Sequence, residues 1–248
     1  MSTKAIMEVC AFNIQSAIIA EKAGAARVEL CDNPVEGGTT PSYGTIRQTR
    51  EKISILLYPI IRPRSGNYLY DDNEMAIIKH DIMICKELGC NGISIGVQKI
   101  DGQIDIEKFK QIIEWAYPMG VTCNRAFDIT PDPYLALENL IACGCERVLT
   151  SGQKTAAPDA CELLNKLVQQ AGDRIIVMPG AGIKSSNIEK LILETGAKEY
   201  HGSARKIIEN PMLVENTLVS DFGNVYETDE YELRKIISFM NLKPMSLS

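Results

Sequence analysis

Short apolar runs rich in Val and Ile alternate along the chain with longer stretches whose apolar positions recur at helical spacing. The runs predict eight strands: Ala5–Cys10, Arg27–Cys31, Leu56–Arg62, Gly92–Val97, Val121–Arg125, Arg147–Thr150, Arg174–Met178 and Glu199–His201. Helices are predicted between them, among others over Ile14–Lys22, Asn73–Leu88, Ile106–Tyr117, Pro133–Ile141, Ala157–Gln170 and Ser186–Glu194. Asp105 and Ser186 read as N-caps, because a short polar side chain there accepts an orphan backbone N–H.

One turn recurs four times: Ala23-Gly24-Ala25-Ala26-Arg27-Val28, Leu88-Gly89-Cys90-Asn91-Gly92-Ile93, Cys143-Gly144-Cys145-Glu146-Arg147-Val148 and Thr195-Gly196-Ala197-Lys198-Glu199-Tyr200. Each places a Gly just past a helix, where the chain turns through positive φ, and then starts a strand. The four glycines lie 65, 55 and 52 residues apart, two βα units per interval. Eight βα units in about 250 residues fit an α/β chain closed into a single TIM-type (β/α)8 barrel. An open doubly wound sheet competes, but no G-x-G-x-x-G follows the first strand. No linker or composition break divides the chain, so residues 1–248 are read as one domain.

Composition narrows the function classes. The 248 residues are 45% hydrophobic and 23% charged, with net charge −6, as in an ordinary soluble globular protein. No apolar stretch approaches the ~18 residues of a membrane span. The acidic balance argues against a nucleic-acid surface. Met1–Lys4 shows no basic-then-apolar signal region, so a cytoplasmic protein with reduced thiols is expected. Apolar outer faces allow a homo-oligomer, a two-fold dimer being the favoured form. No organic cofactor is signalled.

Placing the eight cysteines on this barrel sorts them. Cys90, Cys143 and Cys145 fall in helix-to-strand turns at the bottom, and the Cys143-Gly144-Cys145 pair reads as turn packing, with chelation of a soft metal the alternative. Cys85 and Cys161 fall inside helices and read as core. Cys10 and Cys31 end strands at the top face, where function gathers in such barrels.

Strand side chains alternate in direction. In Met7-Glu8-Val9-Cys10 the apolar residues face the helices, which turns Glu8 and Cys10 into the barrel mouth. The same parity turns Glu29 and Cys31 inward, so two carboxylates and two thiols are expected close together. The other strands end in Arg62 and Arg64, Arg125 and Asp128, Thr150 and Ser151, and His201 and Ser203. Buried carboxylates need partners, and Arg62 and Arg125 are the expected ones for Glu8 and Glu29. The plain alternative is an internal ion-pair network without chemistry. The last two strands run into Pro179-Gly180-Ala181-Gly182 and His201-Gly202-Ser203-Ala204-Arg205. Loops at these positions often hold a phosphate, which makes Gly180, Gly182, Gly202 and Ser203 candidate anion-binding residues.

These motifs resemble the CutC family. The resemblance rests on Met7-Glu8-Val9-Cys10, Val28-Glu29-Leu30-Cys31, Glu36–Ser42, Ile61-Arg62-Pro63-Arg64, Asn124–Asp128, Arg147–Gly152, Met178–Ile183 and His201–Arg205, in order over about residues 7–205. A weaker match covers Thr228–Met240. The resemblance implies a single cytoplasmic TIM-type barrel, a part in copper homeostasis, and Cys10 and Cys31 as candidate Cu(I) ligands. The chain departs from the family at Asn124, where His is usual before the Arg of strand five, at Ser65 and Asn67, often Gly and Asp, and at Ala181, often Gly. The missing imidazole removes one metal ligand and one general base, whereas an Asn still donates and accepts hydrogen bonds.

Two readings stay open. In the first, Cys10 and Cys31 bind Cu(I), a soft ion that prefers sulfur, with His201 adding a nitrogen. In the second, the barrel is an enzyme on a small anionic or phosphorylated metabolite. Arg62 and Arg125 then neutralise charge, and Glu8, Glu29, Asp128 or His201 moves a proton. No lysine stands at a strand end, which counts against a Schiff-base mechanism.

Overall fold

The computed structural model describes residues 5–209, 211 and 224–241. Eight parallel strands alternate with eight helices: β1 (Ile6–Ala11), α1 (Ile14–Ala23), β2 (Arg27–Leu30), α2 (Tyr43–Lys52), β3 (Leu56–Pro59), α3 (Asp72–Glu87), β4 (Gly92–Ile95), α4 (Ile106–Ala116), β5 (Gly120–Cys123), α5 (Pro133–Cys143), β6 (Arg147–Thr150), α6 (Cys161–Ala171), β7 (Ile176–Pro179), α7 (Ile188–Thr195) and β8 (Glu199–Gly202), followed by a short antiparallel pair β9 (Arg205–Ile207) and β10 (Tyr226–Thr228) and by α8 (Glu230–Met240). The strands form two sheets, β3-β2-β1-β8 and β4-β5-β6-β7. Single parallel bridges, Ile60 to Ser94 and Gly180 to His201, join the sheets along both seams. The chain is thus a TIM-type α/β barrel with its strands in sequence order.

The outward face of each strand carries apolar residues that pack on the helices. Val9, Leu30, Leu57, Ile93, Val148 and Tyr200 are fully buried there. The helices answer with pairs at i, i+3 or i+4, such as Ile78 and Ile82, Phe109 and Ile112, and Leu164 and Leu167. The repeated glycine turn has the anticipated cause: Gly24, Gly89, Gly144 and Gly196 have φ of 94°, 73°, 82° and 67°. The final helix α8 packs between α7 and α1 and completes the eighth βα unit. In the sequence the tail with Phe222–Val225 reads either as completing the last βα unit or as contacting a neighbour, and its Phe222 lies outside the described residues. Among the described residues no helix is long and apolar enough to cross a membrane.

Several elements differ from the sequence expectation. Helix α2 carries only two buried residues, Ile46 and Thr49, so it shows no apolar stripe, yet Ser42 caps it by accepting the Thr45 N–H at 3.2 Å. The Ala157–Gln170 segment splits into a 3-10 turn at Ala157–Asp159 and α6, which leaves Cys161 half-buried at the helix start rather than in the core. Ser186 is not a cap. Asn187 precedes α7, and its Oδ1 accepts the Lys184 N–H at 2.9 Å. Strand β5 ends at Cys123, and Arg125 belongs to a 3-10 segment, Arg125–Ile129, started by Asn124.

Candidate functional site in the barrel mouth

The interior of the barrel is polar, and the register of its strands decides which groups meet. Glu8 is level with Arg27 on β2 and with His201 on β8, while Cys10 is level with Glu29. The two E-x-C endings are therefore offset by two residues, the stagger that closing a barrel imposes. The thiols still converge, with Cys10 Sγ 3.7 Å from Cys31 Sγ. The carboxylates do not. The His201 ring stands between them, Nδ1 2.7 Å from Glu8 Oε1 and Nε2 3.6 Å from Glu29 Oε2.

Arg62 and Arg125 are not the carboxylates' partners. Beneath the mouth, Arg27 donates through Nε to Glu8 and through Nη2 to Glu199 at 2.5 Å, and Arg147 Nε donates to Glu199 at 2.8 Å. Both guanidinium groups lie over the Tyr58 ring, at 5.2 and 5.5 Å. All four charged side chains are buried, so each needs an opposite charge, and the ladder Glu8–Arg27–Glu199–Arg147 supplies it. Glycines make the room. A Cβ on Gly92 would stand 2.1 Å from the Tyr58 ring, and one on Gly180 2.4 Å from Leu149. Arg27, Arg147 and Glu199 share inward parity with the anticipated residues but sit at the strand starts, a layer below the strand ends that the sequence draws attention to.

The two displaced arginines have other work. Arg62 reaches out of the interior because three carbonyls outside it hold its fork: Nη1 donates to Glu36 O at 2.7 Å and Gly38 O at 2.8 Å, and Nη2 to Gly66 O at 2.8 Å. Its guanidinium stacks on Tyr68. Arg125 is drawn to Asp128, Nε to Oδ2 at 2.8 Å, and to Ser151 Oγ at 2.9 Å. Asp128 also accepts from Thr150 Oγ1 and from the Ser151 and Gln153 N–H groups, which makes it the clasp of the loop after β6. Asn124 accepts the Ala126 N–H at 3.0 Å and starts the 3-10 segment, a task within reach of its amide.

The electrostatics of the mouth follow from this packing. Burial alone would raise the Glu8 carboxyl, but the Arg27 charge and the His201 hydrogen bond outweigh it and hold the pKa at about 2. Burial would lower the His201 imidazole, yet its hydrogen bonds with Cys10 and Glu8 and the charges of Glu29 and Glu8 raise it well above its ordinary value. The Cys31 thiol hydrogen-bonds to Cys10 and pulls that thiol down, helped by His201, while burial drives Cys31 itself up. Glu29 Oε2, 3.5 Å from Cys31 Sγ, is the alternative acceptor for that single S–H. One ligand atom from each of Cys10, Glu29 and Cys31 falls within 4.8 Å of the others, enough for one metal ion.

A cleft of about 530 Å³ opens above this floor, lined by Cys10, His201, Gly182, Gly202, Ser203 and residues of the rim. Gly180 is not part of its wall. It serves the packing of His201, whose Cβ would lie 3.2 Å from a side chain there.

Comparison with known proteins gives this architecture a family. The CutC family profile matches residues 5–206. A CutC protein of Parabacteroides distasonis is 45% identical over 242 residues, 96% of this chain and 100% of that protein. The crystal structure of CutC from Streptococcus agalactiae superimposes with TM-score 0.76 at 34% identity, covering 80% of this chain and 98% of the other. Phosphoribosylanthranilate isomerase from Thermotoga maritima, at 11% identity and TM-score 0.61 over 95% of this chain and 98% of its own, shares the barrel fold. The chain belongs to the CutC family.

Proposed function

We propose that this chain takes part in copper homeostasis by binding Cu(I) between Cys10 and Cys31. The observation that carries the reading is the 3.7 Å separation of the two sulfurs, Cys10 lining an open cleft and Cys31 buried beside it. Thiolates are the donors Cu(I) prefers, and the mouth presents two of them on adjacent strands. The name of the Streptococcus agalactiae relative, a provisional copper-homeostasis one, supports it.

The chain's own groups prepare the pair. Metal binding needs deprotonated sulfur. Cys31 and His201 favour the Cys10 thiolate, and Glu29 Oε2 lies 3.5 Å from Cys31 Sγ. Ionising Cys31 as well is opposed by burial, so a bound cation is what offsets the second negative charge. A cytoplasmic setting is part of this reading, because it keeps such thiols reduced.

An anaerobic Cu(I) titration against a tight chelator tests it, on wild type and Cys10→Ser/Cys31→Ser. Stoichiometric binding that outcompetes the chelator and disappears in the double variant is the expected result. Failure to compete, or unchanged binding in the variant, overturns the reading.

A further inference from the structure

The cleft above the thiols is lined in a way that a metal site does not require. Its rim carries Arg125 and Lys184, from the segments after β5 and β7, and Arg205 and Lys206 from β9. Two carboxylates, Asp229 and Glu232, share the rim, but both serve the backbone. Asp229 caps α8 by accepting the Tyr231 N–H at 2.9 Å, and Glu232 accepts the Ser185 N–H at 2.7 Å and the Ser185 hydroxyl at 2.9 Å. Of the four cations, Arg125 is paired with Asp128 at 2.8 Å and Lys206 lies 4.0 Å from Asp229, so among the described residues Lys184 and Arg205 are the rim cations without a carboxylate partner, on a chain whose net charge is −6. Cations gathered against the overall balance focus a positive potential into the cleft.

The backbone adds donors. The turn after β7 passes through Ala181 and Gly182 at φ of 72° and 74°, and the turn after β8 through Ala204 at 44°. Left-handed backbone at two alanines is uncommon and is kept where surrounding structure demands it. Among the described residues, the N–H groups of Gly182, Ile183 and Ala204 donate to no protein acceptor. Both turns border the cleft, so backbone N–H groups without a protein acceptor and cationic side chains lie along the same rim.

We propose that this cleft holds the phosphate group of a small phosphorylated metabolite, above His201 and Cys10. Donors from two separate turns and from the Lys184 and Arg205 side chains suit a tetrahedral anion with three terminal oxygens better than a planar carboxylate with two. The cleft exceeds the needs of phosphate alone, since ligand sites of roughly 300–1,000 Å³ take whole small molecules. The remaining volume extends over His201 and Cys10, where the organic part of the ligand lies. The inference stands apart from the copper reading, because none of the rim residues is a metal ligand.

Calorimetric titration with inorganic phosphate and with glycerol 3-phosphate tests the proposal, with chloride at matched ionic strength and glycerol as controls. Wild type, Lys184→Gln, Arg205→Gln and Lys52→Gln are compared. Lys184, Arg205 and Lys52 are exposed, so their variants keep the core intact. Both phosphates are expected to bind saturably, glycerol 3-phosphate the tighter. Each rim variant is expected to weaken binding about tenfold, roughly the worth of one charge-assisted contact. Lys52→Gln, at the end of α2, is expected to bind as wild type. No saturable binding, equal responses to chloride, or unaltered affinity in both rim variants overturns the proposal. Glycerol 3-phosphate binding more weakly than phosphate overturns the assignment to a metabolite.

Discussion

His201 and Glu8 come from opposite ends of the chain, yet Nδ1 and Oε1 lie 2.7 Å apart inside the barrel. Their stabilising effects act in opposite pH windows. Glu8 has its pKa depressed from 4.5 to about 2, so its contribution is present above about pH 4.5 and is lost as pH falls toward 2. That contribution is on the order of 3 kcal/mol. His201 is raised well above 6.5, so its contribution is complete below pH 6.5 and is lost as pH rises through the higher folded value. Urea-unfolding free energies measured across pH should show both limbs. Glu8→Gln should flatten the acid limb and cost about 3 kcal/mol at neutral pH, because Arg27 loses one of its two carboxylates. An unchanged acid limb would contradict the geometry.

Gly92 and Gly44 should respond oppositely to alanine. At Gly92 the new methyl meets the Tyr58 ring at 2.1 Å, with the buried Arg27 and Arg147 stacked on that ring. Gly92→Ala should cost at least roughly 1–3 kcal/mol through overpacking. Gly44 sits exposed in α2 with no foreign atom nearer than 3.9 Å, and Gly44→Ala should gain about 0.5–1 kcal/mol. Thermal unfolding of the two variants gives shifts of opposite sign if the placements are right.

Ala181→Gly should stabilise the protein slightly. The left-handed backbone at φ 72° costs an L-residue roughly 1–2 kcal/mol, and the freedom of glycine in the unfolded chain takes back part of the gain. A net gain of about 0.5 kcal/mol corresponds to a rise in Tm of roughly 1–2 °C at this size. A fall in Tm would count against the turn as described.

Arg62→Lys should behave as a severe change. A guanidinium holds three carbonyls at once and stacks on Tyr68, and an ammonium cannot reproduce that planar fork. The expected loss is about 2 kcal/mol by denaturant titration, with faster protease nicking near residues 36–40. Wild-type stability in Arg62→Lys would show that the loop is held by other means.

Much of the barrel is legible in the chain because its signals are local. The Gly24, Gly89, Gly144 and Gly196 turns mark strand starts, and the Val- and Ile-rich runs mark outward faces. Helix α2 was illegible because only Ile46 and Thr49 touch the core. The inward parity of Glu8, Cys10, Glu29, Cys31 and His201 could also be read from alternation. Their mutual distances could not, since the stagger between strands is a property of ring closure. That stagger sets Arg27 beside Glu8 and sends Arg62 and Arg125 elsewhere. Asp128 looks like a free acid in its motif, and its five donors come from residues up to 25 positions away.

The two-sheet build of the wall separates two kinds of risk. Cys10, Glu29 and His201 all rise from the sheet β3-β2-β1-β8, and Cys31 follows the end of β2. The cleft instead straddles the junction where Gly180 and His201 form a single bridge. Thermal breathing concentrates where fewest bonds cross, so the ring parts most readily at its two single-bridge seams, of which this junction is one. Such parting would widen or narrow the space over the sulfurs while leaving the sulfurs themselves in register: the gateway is elastic, and the floor beneath it is stiff.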